Sequence, residues 1–343
     1  MYKRIVMATD GSPTAETAER IGASLARTTG GKLTIVHAYE DPGRAQAAVA
    51  RAVGLAGSLG VRAEVVLSDD DPSSAVLETA EDRNTDLIVV GSRGLFQQEQ
   101  VFGSVVRKIA THAPCDVLLT RARTEPVAAE RPPYGRVLVA TDGSATADRA
   151  ARKGLALGRC LRTEVGLVFV GHPKTGELVL QDTVATMASE DVDDGGEIAT
   201  SIREGDAAQE IMAEATEGGY DLVVVGNRGL AGAKALLLGS VPLTVAEYAP
   251  TDVLIARTIA QSLEEIGKDD GGIVTSGDHR VAVYRDRTGT VHALSARCTH
   301  MGCTVKWNPT EKTWDCPCHG SRFAPTGEVV SGPATDPLPT TDL

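Results

Sequence analysis

The chain has 343 residues, of which 42% are hydrophobic and 23% are charged, and its formal net charge is −12. This composition is that of an ordinary folded protein, and the length is enough for two or three domains. The negative charge argues against a nucleic acid or an anionic membrane as partner, and no apolar stretch reaches the length of a membrane span. Because the first residues run directly into a strand, without a signal-peptide region, we expect a cytoplasmic protein.

Short apolar runs alternate with helical patterns in the first third of the chain. Strands rich in Val, Ile and Leu that are separated by helices are typical of a parallel sheet covered on both faces, so the pattern predicts an α/β fold. The predicted strands are Arg4–Ala8, Lys32–His37, Ala63–Leu67, Leu87–Val90 and Val117–Thr120. The predicted helices are Ala15–Arg27, Arg44–Leu59, Ser73–Arg83 and Ser104–His112.

The same unit returns later in the chain. RIVMATDGS at 4–12 is repeated as RVLVATDGS at 136–144, and DLIVVGSRGL at 86–95 is repeated as DLVVVGNRGL at 221–230. Self-similarity of this kind predicts two copies of one fold. We therefore expect two Rossmann-like α/β domains, each with a parallel five-stranded sheet: copy one at 1–123 and copy two at 135–258. The stretch 124–134 contains three prolines and is predicted to be a linker.

The pattern changes after copy two. Short alternating strands, IVTSG, RVAVYRD and VHALSA, are separated by turn signals, and they predict a small all-β domain at 259–343. Four of the six cysteines of the chain lie between Cys298 and Cys318. In a cytosolic protein, such clustering indicates a metal site before it indicates disulfides.

Two short segments of this domain each offer one cysteine and one histidine, in a C-x-H and a C-x-x-H pattern. The four side chains are Cys298, His300, Cys316 and His319. Two such loops suit a binuclear iron site, in which thiolates bind one iron and imidazoles bind the other. Two cysteines and two histidines can also form a tetrahedral zinc site. The two additional cysteines and the flanking glycines and prolines favour the iron cluster, because a simple zinc site does not require them.

These motifs resemble the Rieske proteins over roughly Ile273 to Leu338, and most of all the Rieske domains appended to flavin-dependent oxidoreductases. The resemblance rests on both loops, the preceding strands, the run Trp314–Phe323 and the later Gly332-Pro-Ala. It implies a [2Fe-2S] cluster in which the two cysteines hold the buried iron and the two histidines hold the outer iron.

The resemblance also implies roles for four neighbouring residues. Cys303 and Cys318 match the pair that forms a loop-tying disulfide in the cytochrome bc-type subgroup. Ser321 matches a hydroxyl donor to a bridging sulfide. Phe323 stands where that subgroup often has a tyrosine, whose hydroxyl bonds a ligand sulfur. The missing hydroxyl implies a lower reduction potential than that of the high-potential members.

The two α/β copies carry glycine-rich motifs that suit a phosphate. Each has Asp-Gly-Ser after its first strand, Gly-x-x-Gly after a later strand, and Gly-Ser at the start of a helix. Glycines let the backbone approach a phosphate, and the free N–H groups of a helix N-terminus favour an anion. We expect Ser104 and Ser240 to bond a phosphate oxygen while capping their helices. Alternatively, Asp-Gly-Ser is a strand-to-helix cap and the glycines only shape turns.

Both copies resemble the universal stress protein family along their full lengths. ATP-binding members of that family carry G-x-x-G, nine residues, and then G-[ST]; copy two fits this pattern, whereas copy one has eight intervening residues, 95–102. The resemblance implies that Asp10 and Asp142 bind the adenine and ribose end of ATP or AMP, and that Val105 and Val241 lie on the phosphate helix. The candidate nucleotide residues are Asp10, Gly91, Gly94, Gly103, Ser104 and Val105 in copy one, and Asp142, Gly226, Gly229, Gly239, Ser240 and Val241 in copy two.

The family also pairs its domains, often through the last strand. A tandem repeat can make this pairing within one chain, as an intrachain pseudo-dimer. The resemblance therefore implies that Val117–Thr120 lies beside Val253–Ala256.

Taken together, these features predict a one-electron redox domain joined to a nucleotide-binding stress-response pair, with a separate redox partner protein. Two alternatives stay open: an electron-transfer subunit of another oxidoreductase, and a stress-associated scaffold whose cluster is structural. The sequence shows no P-loop lysine, no hydrolase triad and no 2-His-1-carboxylate set, so whether the chain is an enzyme is left open.

Overall fold

The structure is a computed structural model that describes residues 1–12, 15–39, 42–92, 103–122, 132–188, 198–227, 238–257, 263, 266–276, 279–309, 311–316 and 319–343. The chain divides into two compact units, one that ends at Arg257 and one that runs from Thr258 to Leu343. No helix among the described residues is long and apolar enough to cross a membrane.

The first unit contains ten strands and eight helices among the described residues. The strands are β1 (Arg4–Ala8), β2 (Lys32–Ala38), β3 (Ala63–Ser68), β4 (Leu87–Gly91), β5 (Asp116–Thr120), β6 (Arg136–Thr141), β7 (Glu164–Val170), β8 (Ala199–Arg203), β9 (Leu222–Gly226) and β10 (Asp252–Ala256). The helices are α1 (Glu16–Thr29), α2 (Pro42–Ser58), α3 (Pro72–Asp82), α4 (Ser104–His112), α5 (Ala145–Leu161), α6 (Pro173–Ala188), α7 (Ala207–Glu217) and α8 (Ser240–Tyr248). Every strand and helix predicted in copy one is present, with shifts of only a few residues at the ends.

The predicted parallel sheets are confirmed, and they are joined into one. Each copy contributes five parallel strands to a ten-stranded sheet of order β3-β2-β1-β4-β5-β10-β9-β6-β7-β8. Strands β5 and β10 are antiparallel neighbours, with Leu118 opposite Leu254 and Val117 opposite Ile255. The predicted pairing of the last strands is therefore present.

Helices cover both faces of this sheet, as the near-continuous apolar strands predicted. On one face, α1, α2, α5 and α6 bury side chains such as Ile21, Ala52 and Leu157. On the other face, α3, α4, α7 and α8 bury side chains such as Ile109 and Val245. Each face is one continuous core that includes residues of both copies.

A pair of buried aspartates fixes the seam between the copies. Asp116 accepts hydrogen bonds from the hydroxyl of Tyr2 (2.9 Å), the backbone N–H of Arg257 (2.7 Å) and the ammonium of Lys153 (2.7 Å). Tyr2 belongs to copy one, whereas Arg257 and Lys153 belong to copy two. One carboxylate therefore ties together groups of both copies.

The equivalent aspartate of copy two repeats this arrangement. Asp252 accepts hydrogen bonds from the hydroxyl of Tyr134 (2.9 Å) and from the backbone N–H of Arg121 (2.7 Å), which lies in copy one. Tyr134 was predicted to be the last residue of the linker, but it is almost fully buried. Its hydroxyl needs a buried acceptor, and this makes it part of copy two.

The second unit is all-β, as predicted. A three-stranded antiparallel sheet and a four-stranded antiparallel sheet form it. Their strands are β11 (Asp270–Ser276), β12 (His279–Arg285), β13 (Val291–Ser295), β14 (Lys306–Asn308), β15 (Thr313–Asp315), β16 (Arg322–Phe323) and β17 (Val329–Ser331). Trp307, Trp314 and Phe323 are fully buried and form the centre of its core.

Candidate functional site

Two loops of the second unit share the same pair of backbone hydrogen bonds. In the first cysteine loop (residues 298–303), the N–H of Gly302 donates to the carbonyl of Cys298 (2.8 Å), and the N–H of Cys298 donates to the carbonyl of Cys303 (2.8 Å). In the second cysteine loop (residues 316–321), the same two bonds join Gly320 to Cys316 (3.1 Å) and Cys316 to Ser321 (2.7 Å).

The glycine of each loop is required by this turn. Gly302 and Gly320 have φ of 75° and 76°, in the left-handed region that residues with a Cβ rarely occupy. Each glycine therefore turns the chain back, so that the cysteine sits at the base of its loop and the histidine lies between the two. The sequence Cys-x-x-x-Gly encodes this shape twice.

The four predicted metal ligands divide into an inner and an outer pair. Cys298 and Cys316 are buried, 2% and 3% exposed, and both belong to the same core cluster. His300 and His319 are exposed, and their ring centroids lie only 5.0 Å apart, edge to face. The structure therefore brings the two histidines together at the surface and keeps the two cysteines in the core.

This division agrees with the donor chemistry of a two-iron cluster. Such a cluster has two thiolates on one iron and two imidazoles on the other, whereas zinc gathers its four ligands around one point. The buried pair of cysteines and the exposed, adjacent pair of histidines therefore fit a [2Fe-2S] cluster.

Three further residues of the prediction surround these loops. Ser321 is fully buried, and its Oγ accepts the N–H of Ala334 (3.2 Å), so the hydroxyl hydrogen can be donated elsewhere. Phe323 is fully buried on β16. Cys303 is half-buried, and Cys318 lies outside the described residues, so the disulfide between them stays a prediction.

The described part of the glycine-rich motifs of the first unit lies at the point where the strand order reverses. Asp10 follows β1, and Gly91 ends β4, the parallel neighbour of β1. In copy two, Asp142 and Gly226 hold the same places at the ends of β6 and β9. In open α/β sheets, ligands bind outside the carboxyl ends of the strands at such a switch point.

The helices α4 and α8 begin at the predicted Gly-Ser pairs, but the serines do not cap them. The N-cap residues are Gly103 and Gly239, without a side-chain hydrogen bond, while Ser104 and Ser240 are the first helical residues. The predicted capping role of the serines is therefore wrong, because a glycine N-cap leaves the first N–H groups without a side-chain acceptor. Val105 and Val241 follow in the first turn and pack against the core. Gly94 and Gly229 lie outside the described residues.

The alternative interpretation, that Asp-Gly-Ser is a helix cap, is confirmed for copy two, where Ser144 is the N-cap of α5; in copy one the N-cap of α1 is Ala15, although Ser12 bonds its N–H. The Oγ atoms of Ser12 and Ser144 accept the N–H groups of Ala15 (3.2 Å) and Ala147 (3.1 Å). This fixes each segment between a strand and a helix. These serine hydrogen bonds have a structural role, and they also keep the preceding aspartate of each segment at the switch point.

Comparison with protein families identifies both units. The universal stress protein family matches residues 1–121 and 133–257, and the Rieske [2Fe-2S] domain matches residues 257–342. The chain belongs to the universal stress protein family. It carries two universal stress protein domains, copies one and two, followed by a Rieske domain, which we call the Rieske unit (residues 258–343).

Individual relatives match one part or the other. The Bacillus subtilis protein YhfW, whose name gives it as a Rieske 2Fe-2S iron-sulfur protein, is 54% identical over 80 residues, which are 23% of this chain and 16% of that protein. The cytochrome b6-f complex iron-sulfur subunit 3 of Nostoc sp. is 48% identical over 66 residues, which are 19% of this chain and 33% of that protein. This chain therefore spans less than two thirds of the length of either relative.

A solved structure matches the tandem domains. A universal stress protein from Archaeoglobus fulgidus superposes with a TM-score of 0.62 at 20% identity, covering 74% of this chain and 98% of that chain. At this identity the match shows the fold of the two universal stress protein domains.

One ion pair beside the copy-one motif was missed by sequence reasoning. Glu19 is fully buried and accepts two hydrogen bonds from the guanidinium of Arg51 (both 2.8 Å) and one from the hydroxyl of Thr9 (2.7 Å). Arg51 also donates to the carbonyl of Ser12 (2.7 Å), so it fastens α2 to the Asp-Gly-Ser segment. Copy two has Ala151 in place of Glu19. A glutamate on the apolar face of α1 was the signal that could have revealed this pair.

Proposed function

We propose that the Rieske unit holds a [2Fe-2S] cluster through Cys298, His300, Cys316 and His319 and works as a one-electron carrier or redox sensor. The observation that supports this is the matched pair of loops, with both cysteines buried and both histidines exposed side by side. When bound, the cluster accepts and releases one electron.

The residues around the proposed cluster control its access to water and to a partner protein. The buried cysteines exclude water from the inner side of the site, while the exposed imidazoles of His300 and His319 give a partner protein access to its outer side. A purely structural cluster does not need an exposed histidine edge. The geometry therefore favours electron transfer over the structural alternative.

Reversible electron exchange tests this function. We expect the full-length protein to be reduced and reoxidised by small redox mediators with a stoichiometry of about one electron per cluster. The measurement is a spectroscopic redox titration in both directions. An iron cluster that binds fully but exchanges no electron with any mediator would instead support the structural alternative.

Two substitutions are expected to move the reduction potential in opposite directions. Phe323→Tyr adds a hydroxyl at a fully buried position beside the second cysteine loop, and we expect it to raise the potential. Ser321→Ala removes a buried hydroxyl, and we expect it to lower the potential. Each shift should be on the order of tens of millivolts, since one hydrogen bond contributes about 0.5–1.5 kcal/mol. Protein-film voltammetry of both variants measures the shifts, and an unchanged or lowered potential in Phe323→Tyr would contradict this account.

We propose as a second function that the tandem domains bind an adenine nucleotide, ATP or AMP, as an intrachain pseudo-dimer. The aspartate and the strand-end glycine of each copy lie at a switch point of the sheet, and both helix starts present N–H groups next to a glycine. In copy two, Pro242 occupies the first turn of α8 and has no N–H, so Ser240 and Val241 offer the anion-binding groups there.

Nucleotide binding is expected to depend on the switch-point aspartates. Asp142→Ala should weaken ATP binding to copy two, and Asp10→Ala should weaken binding to copy one, each by about tenfold if one hydrogen bond to a charged group is lost. Calorimetry with ATP and AMP measures affinity and stoichiometry. Asp206→Ala, at the N-cap of α7, is the control and should leave binding unchanged. No binding of either nucleotide at millimolar concentration would leave the domains as a scaffold.

A further inference from the structure

A line of aromatic rings crosses the Rieske unit. His292 stacks on Tyr284 with ring centroids 5.8 Å apart, Tyr284 lies 5.4 Å from Trp307, and Trp307 lies 4.8 Å from Trp314. Trp314 comes two residues before Cys316, and it shares a buried core cluster with Cys316, Trp307 and Tyr284. The line therefore leads from the core beside the second cysteine loop to His292, whose side chain is 32% exposed.

These rings stand out in a chain that has few aromatic residues. Phe, Trp and Tyr make up 3% of the sequence, and Trp307 and Trp314 are its only two tryptophans. Tyr284 is the only tyrosine in the sequence of the Rieske unit. Indole and phenol are the aromatic side chains that give up a single electron most easily. Both tryptophans of the chain, together with one of its six tyrosines, therefore lie in the Rieske unit.

The hydrogen-bond partners of the two tryptophans differ. The indole N–H of Trp314 donates to the carbonyl of Pro325 (3.1 Å), whereas that of Trp307 donates to the carboxylate of Asp270 (2.9 Å), which is buried. A nearby negative charge stabilises an indole radical cation, and this effect is strong where the dielectric is low. Trp307 is therefore easier to oxidise than Trp314.

Tyr284 is the next ring of the line and is itself buried, but its hydroxyl reaches a partly exposed side chain. Its hydroxyl donates to the carboxylate of Asp269 (2.9 Å), which is 28% exposed. The hydrogen bond from Tyr284 is the main cause that lowers the pKa of Asp269, so Asp269 is ionised at neutral pH and can accept the phenolic proton. Burial, helped by this hydrogen bond, raises the pKa of Tyr284, so the phenol keeps its proton until it is oxidised.

We propose that Trp314, Trp307 and Tyr284 form a path that carries an oxidising equivalent from the core beside the second cysteine loop to the phenol that contacts the partly exposed Asp269. A peroxide-derived radical takes one electron from Trp314. Trp307 then gives one electron to the Trp314 radical cation. Tyr284 next gives one electron to the Trp307 radical cation, and its phenolic proton passes to Asp269. A soluble thiol returns one hydrogen atom to the tyrosyl radical, and Asp269 releases its proton to water. The path protects the cysteine loops from oxidation.

Laser photoionisation of tryptophan in the full-length, oxidised protein tests this path, because it needs no natural partner. Transient absorption should show the tryptophan radical decaying as a tyrosyl radical rises. In Tyr284→Phe, which keeps the ring, the tyrosyl rise should be lost and the tryptophan radical should live about tenfold longer. Asp269→Asn should slow the tyrosyl rise, because an amide does not take up the phenolic proton.

Tyr248→Phe provides the control, since this exposed tyrosine lies on α8 outside the Rieske unit. It should leave both signals unchanged. A tryptophan radical that decays at the same rate in the wild-type protein and in Tyr284→Phe would overturn the proposal, and the rings would then serve only as core. Near-ultraviolet circular dichroism of Tyr284→Phe shows whether that core is intact. The result is independent of whether the cluster exchanges electrons with a partner.

Discussion

Replacing Cys316 with serine is expected to give a protein without the cluster. The buried Cys316 thiolate supplies one of the two sulfur donors proposed for the inner iron, and it lies at the base of the second cysteine loop. Iron and acid-labile sulfide should therefore fall from about two atoms each per chain to near zero. Elemental analysis and the visible spectrum of the purified protein measure this loss.

Two other substitutions make this result specific. His300→Ala removes an outer ligand and should also abolish the cluster, whereas Cys160→Ser should keep the full iron content. Cys160 is a half-buried cysteine of α5, in the first unit. If Cys316→Ser keeps the iron and sulfide content of the wild-type protein, the assignment of ligands is wrong.

The largest loss of folding stability is expected for Asp116→Ala. The substitution leaves the hydroxyl of Tyr2, the N–H of Arg257 and the ammonium of Lys153 without their shared buried acceptor. Removing one partner of a buried ion pair costs about 3–5 kcal/mol, so the free energy of unfolding of the first unit should fall by that amount. Urea unfolding followed by circular dichroism measures the change.

Milder substitutions separate the parts of this effect. Tyr2→Phe removes one hydrogen bond and should cost about 1 kcal/mol. Asp116→Asn keeps an acceptor oxygen but removes the charge, so its cost should lie between those of Tyr2→Phe and Asp116→Ala. Glu64→Ala breaks an exposed ion pair with Arg83 and should change stability by less than about 1 kcal/mol. An effect of Asp116→Ala as small as that of Glu64→Ala would contradict the role of Asp116 in the seam.

Much of the fold was predictable because its signals are local. The β1 and α4 bounds coincide with the predicted ones, since Ile5–Ala8 is a continuous apolar run directly after Arg4 and Ser104 follows a glycine. The repeat allowed copy two to be inferred from copy one. The pairing of β5 with β10 was expected from the resemblance alone, because no local pattern specifies which strands meet.

The side-chain contacts that hold the sites in place were less predictable. The spacing of cysteines and histidines predicted the four candidate ligands, but the burial of Cys298 and the exposure of His300 depend on how the chain packs around them. The N-caps at Gly103 and Gly239 were predicted wrongly. Serine is a preferred N-cap residue, and only the backbone angles show which residue of the Gly-Ser pair occupies the N-cap. Glu19 and Arg51 lie 32 residues apart in sequence and meet only through the packing of α1 against α2.

Electron paramagnetic resonance of the anaerobically purified, full-length protein tests the central claim most directly. After reduction by dithionite, we expect a rhombic signal from about one spin per chain, in a red-brown protein that contains iron and sulfide in equal amounts. A colourless protein that contains about one zinc per chain, and gives no signal, would contradict the proposed cluster.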